Sequence, residues 1–527
     1  MAEQIESIKK FICQNREKGG LLEVRGPAGS GKTYSLVNTA TSLFKDSNLN
    51  GYIISLTNVA VYELQHRMDN RFADLIMTSH HFAIVWLKRF FLTLAFDKKI
   101  EWDENSLWKK IQKENIKSIV FLESPDENFE KKVDQYVVLP HEVLSLFSEA
   151  LKKSAEFANK VSSGVDYIFI DEYQDTDASF LDSLIQVFKK KLIIAIFGDP
   201  MQKVYMSRLN LQEIEHNTNL RINLTTNYRS DSKLIPLFNA LRLEKNGLNQ
   251  ISPDNQEARG KVFLVSANRK LQKSDVNYIS EKTKIKTWHY LTTTHVLRLG
   301  LGSDYDFELV NQIKDLFKKF FGKTIPLRDF IEKIDSIQEM QIIMGVGALN
   351  KTNYNYHDIR RIRQTFVKTT INGDWPISYL EQIKLNFQSG DLSLIYDLDY
   401  PLNVLEWTKN ILSKYQTDID EIYKLLSDST RGSADTIQGV KGLEFDNVVV
   451  NLDQGNYRSL GLKNLDLMTK GYSDNRQSNF MIYVGVTRAK SNVAIFVNTS
   501  SPKNLLEKIK IFLDSIEDFQ YTNFTIK

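Results

Sequence analysis

Short apolar runs alternate with helix-period stretches through the first 230 residues. Runs at Leu21–Arg25, Tyr52–Leu56, Tyr167–Ile170, Leu192–Phe197 and Ile222–Leu224 contain β-branched residues and end in loop signals. That is the pattern of parallel strands buried on both faces. Helical stretches at Lys32–Phe44 and Val59–Met68 lie between them, giving a βαβ rhythm that predicts a doubly wound α/β lobe. From about Ala83 to Leu139 the rhythm breaks into a segment rich in charge and aromatics, which predicts a mainly helical insertion. A second α/β lobe is signalled by Val262–Ser266, Ile285–Leu291, Val448–Asn451 and Val493–Val497. Its halves are separated by Gly300–Ser433, a mostly helical stretch with many Tyr, Lys and Arg residues. Ser500, Ser501 and Pro502 open a last helix.

Composition narrows the class without naming a function. The 527 residues are 42% hydrophobic and 25% charged, as in a soluble globular protein of several domains. A single cysteine, Cys13, excludes an intramolecular disulfide and a cysteine-based zinc site, and it suits a reducing cytoplasm. The eight histidines show no metal spacing, and adjacent His80 and His81 are poorly placed to chelate one ion. The N-terminus is charged and amphipathic, so no signal peptide is expected. The most apolar run, Leu192–Phe197, is too short to span a bilayer. The expectation is a soluble, cytoplasmic protein with no membrane partner. A net charge of +3 and a pI near 8.4 permit nucleic-acid binding without arguing for it.

The chemistry is carried by motifs. Gly26-Pro-Ala-Gly29-Ser30-Gly31-Lys32-Thr33 fits the P-loop pattern, directly after an apolar strand and opening a helix. Glycines let backbone N–H groups curl around a phosphate, and the helix N-terminus adds positive potential. Lys32 is expected to reach the β- and γ-phosphates of ATP, and the Thr33 hydroxyl to bind Mg²⁺. The strand Tyr167–Ile170 runs into Asp171 and Glu172, for which the roles are Mg²⁺ holding and general base.

The residues after Glu172 narrow the field. Asp171-Glu-Tyr-Gln-Asp-Thr176 resembles the DExxQD(T) box of UvrD-type helicases. Gly198-Asp-Pro-Met-Gln202-Lys-Val-Tyr205 resembles their GDxxQxIY motif, and Asn227-Tyr228-Arg229-Ser230 their NYRS motif. Thr436-Ile-Gln-Gly-Val-Lys441-Gly-Leu-Glu444-Phe445 resembles SKGLEF, and Tyr483-Val-Gly-Val-Thr487-Arg488-Ala-Lys490 resembles YVxxTRAK. Leu56-Thr57-Asn58-Val-Ala60 and Thr78-Ser-His80-His-Phe82 look like the two early strand-contact motifs. Together these strings run from residue 26 to 490 in the family's order. The chain therefore resembles the UvrD/Rep/PcrA branch of superfamily 1 helicases, in a compact form.

The resemblance implies an α/β fold of two RecA-like P-loop lobes with parallel sheets, each with a mainly helical insertion. The expected boundaries are 1–83 and 140–230 for the first lobe and 84–139 for its insertion, then 231–300 and 434–527 for the second lobe and 301–433 for its insertion. It implies that Gln202 senses the γ-phosphate, Tyr228 stacks on adenine, Arg229 and Arg488 clamp the γ-phosphate, and Glu444 hydrogen-bonds the ribose. Gln4 is the candidate adenine-reading glutamine. Strand contacts are expected from Thr57, Asn58, Thr78, His80, Phe82, Tyr205, Arg208, Thr436 and Gln438. The basic clusters Arg360, Arg361, Arg363, Lys368 and Lys314, Lys318, Lys319, Lys323 are candidates for duplex backbone.

Some positions depart from the family. Leu56 stands where an aromatic is usual, Met206-Ser207-Arg208 where a Trp follows, Gln438 where His is frequent, and Tyr34 where Arg is common. The nucleotide chemistry is kept while the base-stacking surface is thinned; each lost stack removes about 1–3 kcal/mol of strand binding. The expected function is an ATP-dependent helicase or translocase moving 3′ to 5′ on single-stranded or tailed duplex DNA. The alternative is a DNA- or nucleotide-sensing ATPase with little unwinding that controls a partner nuclease. Compact relatives of this kind include the helicase-like subunit of Gabija-type anti-phage defence systems, which works beside a nuclease. No nuclease-like acidic cluster follows the last motif, so a nuclease fusion is not expected.

Overall fold

A computed structural model describes residues 1–68, 70–121, 135–202, 211–242, 248–253, 258–269, 271–292, 434–437, 439–451, 481–499 and 505–526. Two compact units divide the chain, Met1–Arg269 with Ile437–Lys527, and Lys270–Thr436.

In the first unit, helix α1 (Ala2–Asn15) precedes strand β1 (Gly20–Arg25), helix α2 (Lys32–Ser47) and strand β2 (Gly51–Ser55). Helix α3 (Asn58–Arg67), strand β3 (Ile76–Thr78) and helix α4 (Ser79–Phe96) follow. Next come α5 (Leu107–Lys113), the parallel pair β4 (Ser118–Phe121) and β5 (Gln135–Val138), α6 (Pro140–Lys153) and α7 (Ala155–Ser162). Strand β6 (Tyr167–Asp171), helix α8 (Ala178–Phe188), β7 (Ile193–Gly198) and β8 (Leu220–Asn223) complete the first sheet. Its order is β3-β2-β6-β7-β1-β8 and every pairing is parallel.

The buried faces follow from side-chain alternation along each strand. Ile168 and Ile170 of β6 and Ile194 and Ile196 of β7 pack with Phe82 of α4, Phe147 of α6 and Phe180 of α8. Tyr167, Phe169, Ile193, Ala195 and Phe197 face the opposite way, against Ile8 and Ile12 of α1 and Leu36, Ala40 and Leu43 of α2. This two-sided burial explains why the strands read as unbroken apolar runs. Strand β3 went unread because three residues are too few to show a period.

Glu23 interrupts the apolar run of β1 and is fully buried. Its carboxylate accepts from Arg25 Nε at 2.5 Å, Arg221 Nε at 2.8 Å and the Tyr173 hydroxyl at 2.6 Å. It thereby ties β8 and the segment after β6 to the middle of β1. We expect Glu23→Leu to destabilise this unit by about 3 kcal/mol, the low end for a broken buried ion pair because both arginines retain some solvent contact. Chemical denaturation reads this, and an unchanged midpoint would refute it.

Further strands of the same unit are β9 (Lys261–Ala267), β12 (Phe445–Asn451), β13 (Ala489–Asn498) and β14 (Thr522–Thr525), with helices Met481–Val486 and Leu505–Asp514. They are parallel in the order β12-β13-β9-β14. Strand β14 is an exposed edge with no apolar run, so no sequence period announced it. The second unit contains helix Lys273–Thr283 and the parallel pair β10 (His289–Thr292) and β11 (Ala434–Thr436). Strand β10 begins later than the expected Ile285. Lys284, in the left-handed region at φ 59°, ends the preceding helix. The Trp288 indole then donates back to the Thr283 hydroxyl at 3.3 Å, so the chain extends only from His289. The α/β class with parallel sheets holds. The expected insertion at 301–433 lies outside the described residues.

Candidate nucleotide site

All strands of the first sheet are parallel, so their carboxyl ends share one edge, where ligands bind in open α/β sheets. The P-loop leaves β1, the acid pair ends β6, and the Gly198-Asp-Pro-Met-Gln202 segment leaves β7 between them. Strand spacing sets the P-loop and acids about 10 Å apart, the width a phosphate, its cation and a water need.

The P-loop conformation depends on glycine. Gly29 and Gly31 adopt φ of 79° and 81°, and a Cβ on Gly29 would run into the Asn227 amide oxygen and Arg229 Cβ. Gly31 caps α2, so the first helical N–H groups point at the loop. Ser30 Oγ is buried and has no hydrogen-bond partner among the described residues. The Lys32 ammonium donates to the carbonyls of Gly26 at 2.7 Å and Pro27 at 3.2 Å, and burial lowers its pKa against the attraction of Glu172, Asp199 and Asp171. Thr33 is half-buried in the first turn of α2.

The Asp171 and Glu172 carboxyl groups are shifted in opposite directions. Burial and the neighbouring Glu172 push the Asp171 carboxyl well above the usual range. Burial also pushes Glu172 up, but Lys441, Lys32 and a hydrogen bond from Gln174 outweigh it and hold Glu172 low. Glu172 sits at φ 53°, an unusual conformation for a residue with a Cβ. Lys441 lies 3.5 Å from Glu172 and forms an ion pair with Asp175.

Gln202, Arg229 and Arg488 join this group. Gln202 Nε2 donates to Asp199 Oδ2 at 2.9 Å, and its Oε1 accepts from Arg488 Nη2 at 3.3 Å. Arg488 is 2% exposed and also donates to the Val484 carbonyl at 3.1 Å and the Leu443 carbonyl at 3.4 Å. Burial and the nearby Arg229 charge lower its pKa to about 9. Arg229 donates to Glu444 at 2.8 Å and to the Thr487 carbonyl at 3.3 Å. Glu444, assigned by resemblance to a ribose, here pairs with Arg229 and with Lys490 at 2.8 Å. Tyr228 is 49% exposed, and its backbone N–H donates to the Gly29 carbonyl at 2.9 Å. On α1, the Gln4 amide oxygen is buried and has no partner among the described residues. Lys441, Gln174, Asp199 and Tyr483 lay inside the quoted strings without a role. Arg242 carried no motif signal at all.

The expected strand contacts divide. Thr57 and Asn58 are exposed at the end of β2, and the Thr57 hydroxyl caps α3 by accepting from Ala60 N at 3.2 Å. Thr78 is half-buried and caps α4 by accepting from His81 N at 3.1 Å. His80 is half-buried, and burial keeps its imidazole below the ordinary pKa. Phe82 is corrected. It is 0% exposed, with its ring edge-on to Tyr52 at 5.0 Å and Phe147 at 5.5 Å, so in this structure it is core and not a stacking surface. It lies at i+3 from the buried Ser79, on the apolar face of α4 that packs into the core. Tyr205, Arg208, Gln438, the Thr436 side chain and the basic clusters between 314 and 368 lie outside the described residues.

The glycine-dependent loop after β1, with Lys32 buried in it, is a P-loop arrangement at the carboxyl edge of a parallel sheet. A family model described as an AAA domain matches residues 11–208, and one described as a viral superfamily 1 RNA helicase core domain matches residues 135–302. A probable DNA helicase II homolog of Mycoplasma capricolum is 23% identical over 54% of this chain and 48% of its own. Gabija protein GajB of Bacillus cereus is 30% identical over 40% of this chain and 44% of its own. ATP-dependent DNA helicase Rep of Buchnera aphidicola is 24% identical over 50% of this chain and 49% of its own. The chain spans about half the length of these curated relatives. Over that part it is similar to UvrD/Rep-like superfamily 1 helicases.

Proposed function

We propose that this chain is an ATP-dependent DNA helicase or translocase, working 3′ to 5′ on single-stranded or tailed duplex DNA. The observation that supports it best is the convergence of Lys32, Lys441 and Arg488 on Glu172, with Arg229 beside Lys32 and Arg488, at the carboxyl edge of a P-loop sheet. Four cations packed this closely repel one another, and a triphosphate relieves that repulsion. Lys32 grips the β- and γ-phosphates from the P-loop side. Arg229 and Arg488, from beyond the loop, meet charge that develops on the γ-phosphoryl group.

Glu172 accepts the proton of the attacking water. Held low by Lys32 and Lys441, it is a weak base until a triphosphate draws those ammonium groups away. Thr33 and Asp171 supply the hard oxygen donors that suit Mg²⁺, which takes few protein ligands beside substrate phosphates. Bound there, the cation neutralises phosphate charge and favours ionised Asp171. Tyr228 offers a ring face to adenine, Gln4 an unpaired amide oxygen to its edge, and Glu444 a carboxylate to the ribose.

Strand binding is assigned to the edge where α3 and α4 begin, after the neighbouring strands β2 and β3. Two helix N-termini side by side suit consecutive phosphates, with Thr57, Asn58, Thr78 and His80 beside them. No helix among the described residues is long and apolar enough to cross a membrane. The likeness to GajB extends the proposal to a defence setting with a nuclease partner; purification from the native host without any nuclease would count against that part.

The test is an ATPase titration with single-stranded DNA, RNA and duplex, alongside unwinding of a 3′-tailed duplex. Single-stranded DNA is expected to stimulate turnover and the tailed duplex to be opened. Strong stimulation without unwinding favours the sensing ATPase, and no turnover under any condition sinks the proposal. Lys32→Ala is expected to abolish nucleotide binding, since it removes the one ammonium seated inside the loop; retained binding by calorimetry would show that the P-loop assignment is wrong.

A further inference from the structure

Arg242 lies 13 residues beyond Arg229, just after helix Ile235–Ala240, and its side chain is 2% exposed. Its guanidinium meets Asp199 as a fork, with Nη1 on Oδ2 at 2.9 Å and Nη2 on Oδ1 at 3.1 Å. Nη1 also donates to the Tyr483 hydroxyl at 2.7 Å, and that hydroxyl donates on to Asp199 Oδ2 at 3.3 Å. Gln250 Nε2 donates to the same hydroxyl at 3.3 Å, and its Oε1 accepts from Asn227 at 2.5 Å. Asn227 reaches the P-loop itself, donating to the Ala28 carbonyl at 3.2 Å.

We propose that Arg242 is a positioning residue for ATP turnover, clamping Asp199 so that Asp199 fixes the sense of the Gln202 amide. This rests on the ATPase reading above. An amide side chain can sit in either of two senses, related by a flip of its oxygen and nitrogen. An ionised carboxylate only accepts and a guanidinium only donates. Asp199 on one side and Arg488 on the other therefore select the single sense in which Nε2 meets Asp199 and Oε1 meets Arg488. The selection holds only while Asp199 is ionised and immobile. Burial alone works against ionisation, and the Arg242 charge and fork outweigh it. Arg242 thus acts at second hand on Gln202 and, through Gln202, on Arg488.

Lysine at 242 keeps a charge but loses the fork, because an ammonium has no planar pair of donors. Arg242→Lys is expected to lower kcat by about 10- to 100-fold, the scale of a small misplacement of a catalytic group, with the KM for ATP little changed. The sharper readout is a cycle with Gln202→Ala. If Arg242 acts through Gln202, Arg242→Lys adds little further loss of kcat in that background. Multiplying losses, or a wild-type kcat in Arg242→Lys, would overturn the proposal. Should Arg242→Lys fail to fold by thermal melting, Tyr483→Phe decides. It removes the bridging hydroxyl without exposing a charge, and its kcat loss is expected to be absorbed by Gln202→Ala in the same way. A wild-type chain that hydrolyses no ATP in any condition fails the ATPase reading itself, a result distinct from additive variants of an active enzyme.

Discussion

Arg488→Ala is expected to lower the kcat of ATP hydrolysis by about 10³–10⁵-fold, the range found when an arginine finger is removed from a phosphoryl-transfer site. The reason is that the guanidinium is already desolvated. It is 2% exposed, aimed by the Val484 and Leu443 carbonyls and by Gln202, and it sits beside Arg229 with its pKa lowered to about 9. Charge developing on a γ-phosphoryl group meets a donor fork that needs no reorganisation at the moment of reaction. Nucleotide affinity should change far less than turnover, because Lys32 and the loop N–H groups hold the ground state. Since alanine leaves buried carbonyls without their donor, Arg488→Lys serves as the folded companion, and it too should be slow because it lacks the fork. Steady-state turnover within tenfold of wild type, in a variant that folds, would remove Arg488 from the mechanism.

Glu172→Gln should leave ATP bound and reduce hydrolysis by about 10²–10⁴-fold, the contribution of a positioned general base. Glutamine keeps the size of the side chain and its acceptor oxygen toward Gln174 and Lys441. What it loses is the ability to take a proton. Affinity for ATP should hold or rise, because a negative charge beside the triphosphate is gone. Single-turnover hydrolysis together with equilibrium binding separates the two effects. Normal turnover in Glu172→Gln would reassign the base.

Both variants act on residues that were legible as words before they were legible as a place. The P-loop, the acid pair and the NYRS-like string are local patterns, because each must adopt one short backbone conformation. Gly29 and Gly31 show this, since their positive φ is a property of the loop alone. The strand runs Tyr167–Ile170 and Leu192–Phe197 were equally plain, since burial on both faces leaves no polar alternation to misread. Strands β3 and β14 were missed for the converse reason, one too short for a period and the other an exposed edge.

Phe82 marks a limit of a different kind. A motif string records which residue types occur together, but not which face of α4 turns toward the sheet, and that face puts the ring between Tyr52 and Phe147. Glu444 is a second case. The string names an acid, while the structure gives it two cationic partners, Arg229 and Lys490.

By itself, then, the order of residues determined the parallel α/β lobes, the phosphate loop and the identity of the acids and arginines, because these depend on hydrophobic period and on backbone conformations confined to a few neighbours. Only the tertiary structure decided that Lys441 faces Glu172 and Asp175, and that Arg242, Asp199 and Tyr483 close one buried network around Gln202. Arg242 and Tyr483 are 241 positions apart in the chain. Contacts at such separation arise from how strands and helices stack, and a buried charge takes whatever opposite charge that stacking delivers, which no local pattern encodes.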